Sequence, residues 1–291
     1  MKRKWIRWVS WILLTPIILF VILMVLLYVP PVQNLLRREV TAYASKVTGM
    51  QIQVERIDLR FPLNLLVRGV EVIQQPDTLL SLESLNVRVQ AWPLIKGKVE
   101  VDEVTLSRVA VNSADLMEGM KIKGVLGRFF LQSHGVDLSN ELAVINQVEL
   151  SDTHMQLLMN DTTTTPKDTT ASAPINWKVA LHQLKLKNVS FGMQLPADSM
   201  RMTAHIGEAA INNAQADLKN QYYDLKKFLL SGTSASYDTG TAQPTEGFDA
   251  SHIAVRDIRI ALDSLLYKGR DMNAVIREFT MNERSGLSVT A

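Results

Sequence analysis

One spacing of apolar residues recurs along most of the chain and constrains what the chain can fold into. The spacing is apolar-x-apolar-x-x-apolar-x-apolar, with two non-apolar residues as the central doublet. At an apolar fraction of 47%, random order would give roughly three or four matches over this length, but nine non-overlapping copies occur. Their apolar residues are Ile52, Val54, Ile57, Leu59; Leu65, Val67, Val70, Val72; Leu80, Leu82, Leu85, Val87; Val99, Val101, Val104, Leu106; Ala143, Ile145, Val148, Leu150; Val179, Leu181, Leu184, Leu186; Ala204, Ile206, Ala209, Ile211; Ile253, Val255, Ile258, Ile260; and Ala274, Ile276, Phe279, Met281. Two copies continue in the same manner, through Val109 and Val111 and through Val189 and Phe191.

This spacing favours strands over helices. In an α-helix the four apolar positions would spread around the whole circumference, whereas in a strand each apolar pair shares one face. The face changes at the doublet, and doublets such as Glu55-Arg56 and His182-Gln183 lack the Gly or Asn of a two-residue hairpin. A β-bulge or sharp twist at the doublet is therefore predicted. The pattern indicates a series of antiparallel strands with one apolar and one polar face, without the strict period of a solenoid.

The N-terminus carries a predicted membrane anchor. Residues 12–29 form an uncharged, mostly apolar run, close to the roughly 20 residues that cross a bilayer as a helix. Four basic residues precede this run, so the positive-inside rule predicts a cytoplasmic N-terminus and an exported remainder. The alternative is a cleaved signal peptide, but the nearest Ala-x-Ala, at Ala42 to Ala44, lies too far beyond the apolar run. The predicted anchor residues are Trp8, Trp11, Ile12, Phe20, Leu27, Tyr28 and Val29.

The chain divides into three predicted regions. Residues 1–30 form the basic stub and the transmembrane anchor, and residues 31–48 form a short amphipathic helix that ends at Gly49 and caps the β-region. A membrane-surface role for this helix stays open. Residues 49–291 form the β-region, with loops predicted near 160–176 and 231–251 because large apolar residues are sparse there.

Shorter features in the β-region complete the prediction. Turns are expected at residues 75–77, 96–98 and 196–198, and the two glycines of Gly124 to Gly127 also indicate a turn. Residues 218–230 fit either a helix or a strand by spacing, and a strand is favoured because strands flank them.

The composition argues against several classes of function. The absence of cysteine excludes disulfides and thiolate chemistry. The five histidines are scattered, and no catalytic or phosphate-binding motif occurs. The chain has 31 basic and 29 acidic residues. Because four of the basic residues precede the anchor, the remainder is slightly acidic and gives no indication of nucleic-acid binding. We therefore predict no enzymatic activity, no catalytic residue, no cofactor and no metal.

Several segments resemble the AsmA-like superfamily, and within it the family of TamB, the translocation and assembly module subunit. The first two are residues 247–260 (GFDASHIAVRDIRI), continued by Tyr267 to Gly269, and residues 283–289 (ERSGLSV). Two further segments resemble the N-terminal region of family members. They are Thr48-Gly49 followed by residues 52–57 (IQVERI), and residues 94–101 (LIKGKVEV).

The resemblance implies a single-pass inner-membrane protein with a periplasmic, elongated, twisted and taco-like β-groove. It implies roles in phospholipid transport between the inner and outer membranes, in outer-membrane biogenesis and in protein secretion. Family members are longer and meet an outer-membrane barrel partner through a C-terminal domain. No such domain occurs in this sequence, so we expect it to be an N-terminal portion.

The resulting hypothesis is that apolar strand faces merge into one trough that carries phospholipid acyl chains. The alternative is a periplasmic scaffold or chaperone that offers its sheet edge to unfolded outer-membrane proteins. The sequence leaves open which apolar phase faces inward. The candidate groove-lining residues are Val99, Val101, Val104, Leu106, Val109, Val111, Val179, Leu181, Leu184, Leu186, Val189, Phe191, Ile253, Val255, Ile258 and Ile260.

Overall fold

One helix and twelve strands make up the described part of the protein in a computed structural model. The structure describes residues 28–61, 63–90, 92–93, 100–113, 119–137, 141–160, 176–241 and 243–291. The helix, α1, spans Pro30–Thr48. The strands are β1 (Gln51–Arg60), β2 (Asn64–Gln74), β3 (Asp77–Val89), β4 (Val101–Asn112), β5 (Met120–Asp137), β6 (Leu142–Met159), β7 (Lys178–Leu195), β8 (Met200–Asp217), β9 (Tyr222–Asp238), β10 (His252–Lys268), β11 (Asp271–Glu283) and β12 (Ser288–Thr290).

All twelve strands belong to one sheet in which each strand pairs with its sequence neighbours. The order is β1 to β12 without a crossover, and β12 does not close onto β1. The mostly β fold class predicted from the spacing is therefore confirmed. No second sheet lies against this one in the described ranges, so its two faces are formed by alternate side chains of the same strands.

One pair of strands departs from the predicted antiparallel arrangement. Strands β6 and β7 are parallel, with Leu142 opposite Lys178 and Leu158 opposite Gln194. The other ten pairs are antiparallel. Parallel strands need a connection long enough to return the chain to the same end of the sheet, and residues 160–177 provide it. The predicted loop at 160–176 falls mostly outside the described residues.

The predicted turns at residues 75–77 and 196–198 are confirmed by the junctions between β2 and β3 and between β7 and β8. The turn predicted at 96–98 falls outside the described residues. The turn predicted at Gly124 to Gly127 is wrong, since both glycines lie inside β5.

The segment 218–230 is mainly strand, as favoured. The loop predicted at 231–251 is too long, because β9 continues to Asp238. Small residues from Ser231 to Ser236 still pair in register with β8, so backbone pairing overrides the local composition.

Helix α1 confirms the predicted helix at 31–48 and runs along the outer edge of β1. Prolines occupy its first turn, and Gly49 ends it with a left-handed φ of 70° and a 3.0 Å hydrogen bond from its amide to the Ser45 carbonyl. The Arg37 guanidinium donates to the Glu55 carbonyl at 2.8 Å, and the Gln33 amide donates to the Leu59 carbonyl at 2.9 Å. The helix thereby satisfies backbone groups of an edge strand that would otherwise be open to pairing.

The sheet has little enclosed core. Among the described residues, no large side chain is fully buried. The buried apolar residues are small in number: Leu79, Leu82, Ala143, Ala209 and Ala261. Most apolar side chains of the strands are only half-buried, as expected when one sheet shields them solely with neighbouring strands. A sealed β-sandwich, in which two apolar faces pack together, is not what the described strands form.

Candidate apolar binding face

Apolar residues of neighbouring strands are aligned in rows that cross almost the whole sheet. The first row joins eleven strands by direct pairing, and every member is apolar: Ile57, Val67, Leu85, Leu106, Phe129, Leu150, Leu186, Ala209, Leu230, Ile260 and Phe279. The second row is equally complete: Leu59, Leu65, Val87, Val104, Leu131, Val148, Leu184, Ile211, Phe228, Leu262 and Ile276. With strands about 4.8 Å apart, each row spans roughly 50 Å.

A third row lies on the other side of the central doublet. It includes Val54, Val70, Leu82, Val109, Leu126, Thr153, Val189 and Ile206. A fourth row, further along the strands, includes Ile52, Val72, Leu80, Val111, Gly124, Met155, Phe191, Ala204, Ala235 and Val255.

Polar doublets of neighbouring strands lie on one line across the sheet, here named the kink line. In β1 to β3 these are the central doublets of the copies, whereas in β4, β6 and β7 they are the doublets that follow Leu106, Leu150 and Leu186. The central doublets of the β6 and β7 copies pair with each other on a second line. Six of its residues have a left-handed backbone, with φ between 45° and 59°: Gly69, Arg108, Asp152, Asn188, Gly232 and Asp257. A left-handed residue interrupts the two-residue alternation of a strand and re-aims the side chains that come after it. The register continues unchanged across this line from β1 to β8. Of the two predicted alternatives, a β-bulge or a sharp twist, these strands therefore show the twist, because partner strands change face at the same point.

Exposure along β1 shows the change of face directly. Ile52 and Val54 before the doublet, and Ile57 and Leu59 after it, are all half-buried, while both doublet residues are exposed. Strand β7 shows the same change at its doublet His182-Gln183. Before the change the exposed His182 is an even position, whereas the exposed residues Lys185 and Lys187 after it are odd positions. Both apolar pairs of a copy thus lie on one face of the sheet, which answers the question of phase that the sequence leaves open. This face is named the apolar face.

Close approach of strands at the kink line explains the glycines found there. A Cβ atom on Gly127 would lie 2.7 Å from the Asp152 Cβ, and one on Gly207 would lie 2.7 Å from the Gly232 carbonyl oxygen. Polar pairs occupy the intervening positions: Glu83 forms an ion pair with Arg108, and Asn188 donates to Asp152 at 2.8 Å.

All fifteen described candidate groove residues belong to strands that present the apolar face. Val104, Leu106, Leu184, Leu186 and Ile260 lie in the first two rows, and Val109, Val111, Val189, Phe191 and Val255 in the third and fourth. Val101, Val179, Leu181 and Ile253 extend the face toward the strand ends, and Ile258 lies next to the kink line in β10. Val99 lies outside the described residues.

The first two rows also contain residues outside the predicted groove-lining set. Phe129 and Leu131 belong to β5, whose copy of the spacing is imperfect because Gly124 occupies its first apolar position. Strand β9 carries a full copy at Tyr223, Leu225, Phe228 and Leu230. The spacing of apolar residues is therefore sufficient to identify this copy.

No protein-family model matches the chain, and no curated protein matches it at a significant level.

Charged side chains lie on the opposite face of the sheet, named the polar face. Lys185 pairs with Glu149 at 3.8 Å, and Arg88 pairs with Glu103 at 3.2 Å. Neither of the first two rows of the apolar face contains a polar residue. The polar face is mixed, however, because the row that lies on it between these two contains Asp58, Glu149 and Lys185 but also Leu66, Phe130 and Leu229.

Two carboxylates near the β10 end are held ionised by hydrogen bonds. The Thr245 amide, the His252 ring and the Ser251 amide donate to Asp249 and hold its pKa well below the usual range. Hydrogen bonds from Ser285 lower the pKa of Glu283, which is buried beside β10. These groups fix the ends of β10 and β11, and no cluster of three potential metal-ligating side chains occurs in the described residues.

The predicted anchor lies largely outside the described residues. Of its residues the structure describes Tyr28 and Val29, which immediately precede α1. The Tyr28 ring makes an edge-to-face contact with Phe61, with centroids 6.5 Å apart. Within the described residues, no helix has the length and apolar character needed to span a bilayer.

Proposed function

We propose that the apolar face is a groove that carries phospholipid acyl chains between the inner and the outer membrane. The observation that supports this proposal most directly is the pair of unbroken apolar rows, which no other described element covers. Monomeric soluble proteins rarely leave so large a contiguous apolar surface exposed unless it binds something. A row of roughly 50 Å exceeds the hydrocarbon core of a bilayer, about 30 Å.

The free energy of moving an acyl chain along the apolar face is low enough that transport needs no nucleotide-binding or other energy-consuming site in the sheet. Moving an acyl chain into water costs about 0.8 kcal/mol per CH₂, so a sixteen-carbon chain faces a cost on the order of 10 kcal/mol. Half-buried Leu, Val, Ile and Phe side chains on the apolar face would offset most of this cost while a headgroup stays in water. Because the rows continue from strand to strand, a chain could slide along them without leaving apolar contact.

The position of α1 supports an orientation in which the β1 end of the sheet lies nearest to the inner membrane. The helix comes directly after the apolar N-terminal segment of the sequence and covers the β1 edge. Phe61, 86% exposed, and Trp92, 70% exposed, lie at the same strand ends as Tyr28. Aromatic rings favour the membrane interface. In this proposal the strands extend from an inner-membrane anchor into the periplasm and support outer-membrane biogenesis.

Site-specific photocrosslinking in cells tests the proposal. A photoreactive residue at Leu184, in the second row, should yield phospholipid adducts detectable by mass spectrometry. The same residue at Lys185 is the matched control, because it is adjacent in β7 but lies on the polar face. Equal adduct yields at the two positions would contradict a groove on the apolar face.

Charged substitutions supply a second test. Leu106→Asp and Leu181→Asp should abolish adduct formation at Leu184, whereas Thr105→Asp, on the polar face of β4, should not. Circular dichroism separates loss of binding from loss of folding, since only variants with the wild-type spectrum are informative.

A second candidate function rests on the outer edge of β11, as the described strands leave it. Residues 288–291 pair with Phe279 to Asn282, and Val275 and Ile276, which no described strand joins on this side, are 56% and 57% exposed. An exposed apolar edge can accept an extended strand, as a scaffold for outer-membrane proteins that works with a barrel partner would require. Binding of unfolded barrel peptides that Val275→Lys and Ile276→Lys abolish, without phospholipid adducts at Leu184, would favour the scaffold.

A further inference from the structure

The polar face contains a cleft of about 460 Å³ across β5, β6, β7 and β8. This volume lies in the range typical of small-molecule sites. Eleven of its lining residues have side chains on the polar face by register: Lys121, Lys123, His154, Gln156, Leu158, Ser190, Gly192, Gln194, Arg201, Thr203 and His205. The other five lining residues, among them Phe191 and Ala204 of the fourth row, alternate with these along the strands. The charged side chains of the cleft thus lie on the side of the sheet opposite the proposed acyl-chain groove.

Gly192 creates the hollow at the centre of this cleft. It lies in the middle of a paired row, with Gln156 on one side and Thr203 on the other. A Cβ atom at Gly192 would have its nearest neighbour, the Gln156 Cγ, at 3.8 Å. The position is therefore open rather than crowded, unlike Gly127 or Gly207 on the kink line.

The charge of the lining is one-sided. Lys121 and Lys123 approach from β5, and Arg201 approaches from β8, at the opposite side of the hollow. No carboxylate occurs among the residues that the structure shows lining the cleft. The strand spacing places the β5 and β8 backbones about 14 Å apart, so these long side chains can converge from both sides.

Neutral hydrogen-bonding groups also line the cleft, beside the apolar residues Leu157, Phe191, Met193, Met202 and Ala204. The Ser190 hydroxyl lies 2.9 Å from the His205 Nδ1, and the Gln156 amide lies 3.0 Å from the His154 Nε2. These contacts hold the two imidazole rings beside the hollow. Ser190, Thr203 and Gln194 add donors of the kind that phosphate oxygens accept.

We propose that this cleft binds an anionic ligand of the phosphate class. Lysine and arginine are the usual partners of phosphate groups, and here they surround a hollow that a missing side chain keeps open. The Leu158 side chain and the aliphatic stems of the lysines offer some apolar contact as well. The ligand is a phosphate ester, either free in solution or at the headgroup of a lipid.

Calorimetric titration of the full chain, in nonionic detergent, with glycerol 3-phosphate tests whether the basic side chains of the cleft bind the ligand. The double variant Lys123→Ala/Arg201→Ala should lose at least tenfold in affinity. The matched control Lys227→Ala/Arg270→Ala removes the same charge at exposed positions outside the lining and should retain wild-type affinity. Equal losses in the two double variants would overturn the proposal, since binding would then depend only on net charge.

The variant Gly192→Leu tests the hollow without changing any charge. It should bind at least tenfold more weakly while keeping the wild-type melting temperature, because the position is open and faces solvent. Undiminished binding by this variant would overturn the proposal. The variant Gly192→Ala fills less of the space, so its affinity should lie between those of the wild type and Gly192→Leu.

The two sources of phosphate are distinguished by flotation with vesicles. If the ligand is a headgroup, the chain floats with phosphatidylglycerol vesicles and not with phosphatidylcholine vesicles, and Gly192→Leu abolishes the difference. If the ligand is soluble, glycerol 3-phosphate binds but Gly192→Leu leaves flotation unchanged. Failure of both probes to bind would sink the proposal, and neither outcome bears on adduct formation at Leu184.

Discussion

The side-chain amide of Asn188 in β7 donates a 2.8 Å hydrogen bond to the carboxylate of Asp152 in β6. Both residues have a left-handed backbone, with φ of 53° and 51°. They lie next to each other on the kink line, at the parallel pair of the sheet. Asn and Asp tolerate this conformation better than most side chains do. The two residues therefore let both strands change face at the same point while their side chains bind each other.

Replacement of Asn188 should separate the backbone contribution from the hydrogen bond. Asn188→Val should lower the free energy of unfolding by about 1–3 kcal/mol, because a β-branched residue is strained at positive φ. Asn188→Gly loses the same hydrogen bond but accepts the conformation, and should cost about 1 kcal/mol. Urea denaturation followed by circular dichroism gives the comparison. Equal losses would contradict a conformational role for Asn188.

The glycine at position 127 should be intolerant of any side chain. Gly127→Ala places a Cβ 2.7 Å from the Asp152 Cβ, so we expect a loss of about 1–3 kcal/mol as the strands move apart. Gly192→Ala is the control within the same sheet, because its Cβ meets nothing closer than 3.8 Å. Thermal melting of the two variants measures the difference, and the prediction fails if both melt at the wild-type temperature.

The contact between α1 and β1 should control protection of the edge strand. Arg37→Ala removes hydrogen bonds to the Val54 and Glu55 carbonyls, at a cost of about 1 kcal/mol. Hydrogen exchange in residues 51–60 should become faster, while exchange in β7 stays unchanged. Arg38→Ala, on the neighbouring exposed residue, should leave both rates unchanged. Unaltered exchange in β1 of Arg37→Ala would show that the helix is not what protects this edge.

Acid should destabilise the segment that precedes β10. The pKa of Asp249 is depressed in the folded chain by hydrogen bonds from Thr245, His252 and Ser251. A carboxylate whose pKa is lower in the folded than in the unfolded chain stabilises the fold at any pH above its unfolded pKa, near 3.9. This stabilisation is lost as the pH falls from the unfolded pKa through the folded pKa. The melting temperature of Asp249→Asn should lie below that of the wild type at pH 7, and the gap should close as the pH falls below 3.9. A gap independent of pH would contradict this assignment.

The sequence spacing predicts much of the fold but not how its strands pair. Strands and their apolar residues can be predicted from pairs of apolar residues two positions apart, such as Ile57 and Leu59, since side-chain alternation is a local property. The parallel pairing of Leu142 with Lys178 was missed, because strand direction depends on where a long connection delivers the chain. The change of face at polar doublets is predicted as a bulge or a sharp twist, but the sequence does not choose between them, since a bulge on one strand and a kink on two give the same spacing.

The polar-face cleft has no sequence signal at all. Lys123 and Arg201 are far apart in the chain, and Gly192 alone suggests only a weak point in a strand. Their juxtaposition depends on the register of three strand pairs, which no local pattern encodes. The apolar rows are more predictable because each strand repeats the same spacing, so any register that aligns the doublets aligns the rows as well.

The neighbour-only strand order makes the length of this sheet adjustable in steps. Removal or addition of one hairpin leaves every other pairing intact, since no strand depends on a partner distant in sequence. Each hairpin changes the extent of the sheet by about 10 Å and adds one more set of doublets. Evolution could thus fit such a protein to a wider or narrower gap by duplicating a unit of about 30 to 40 residues, without redesigning the strands already present.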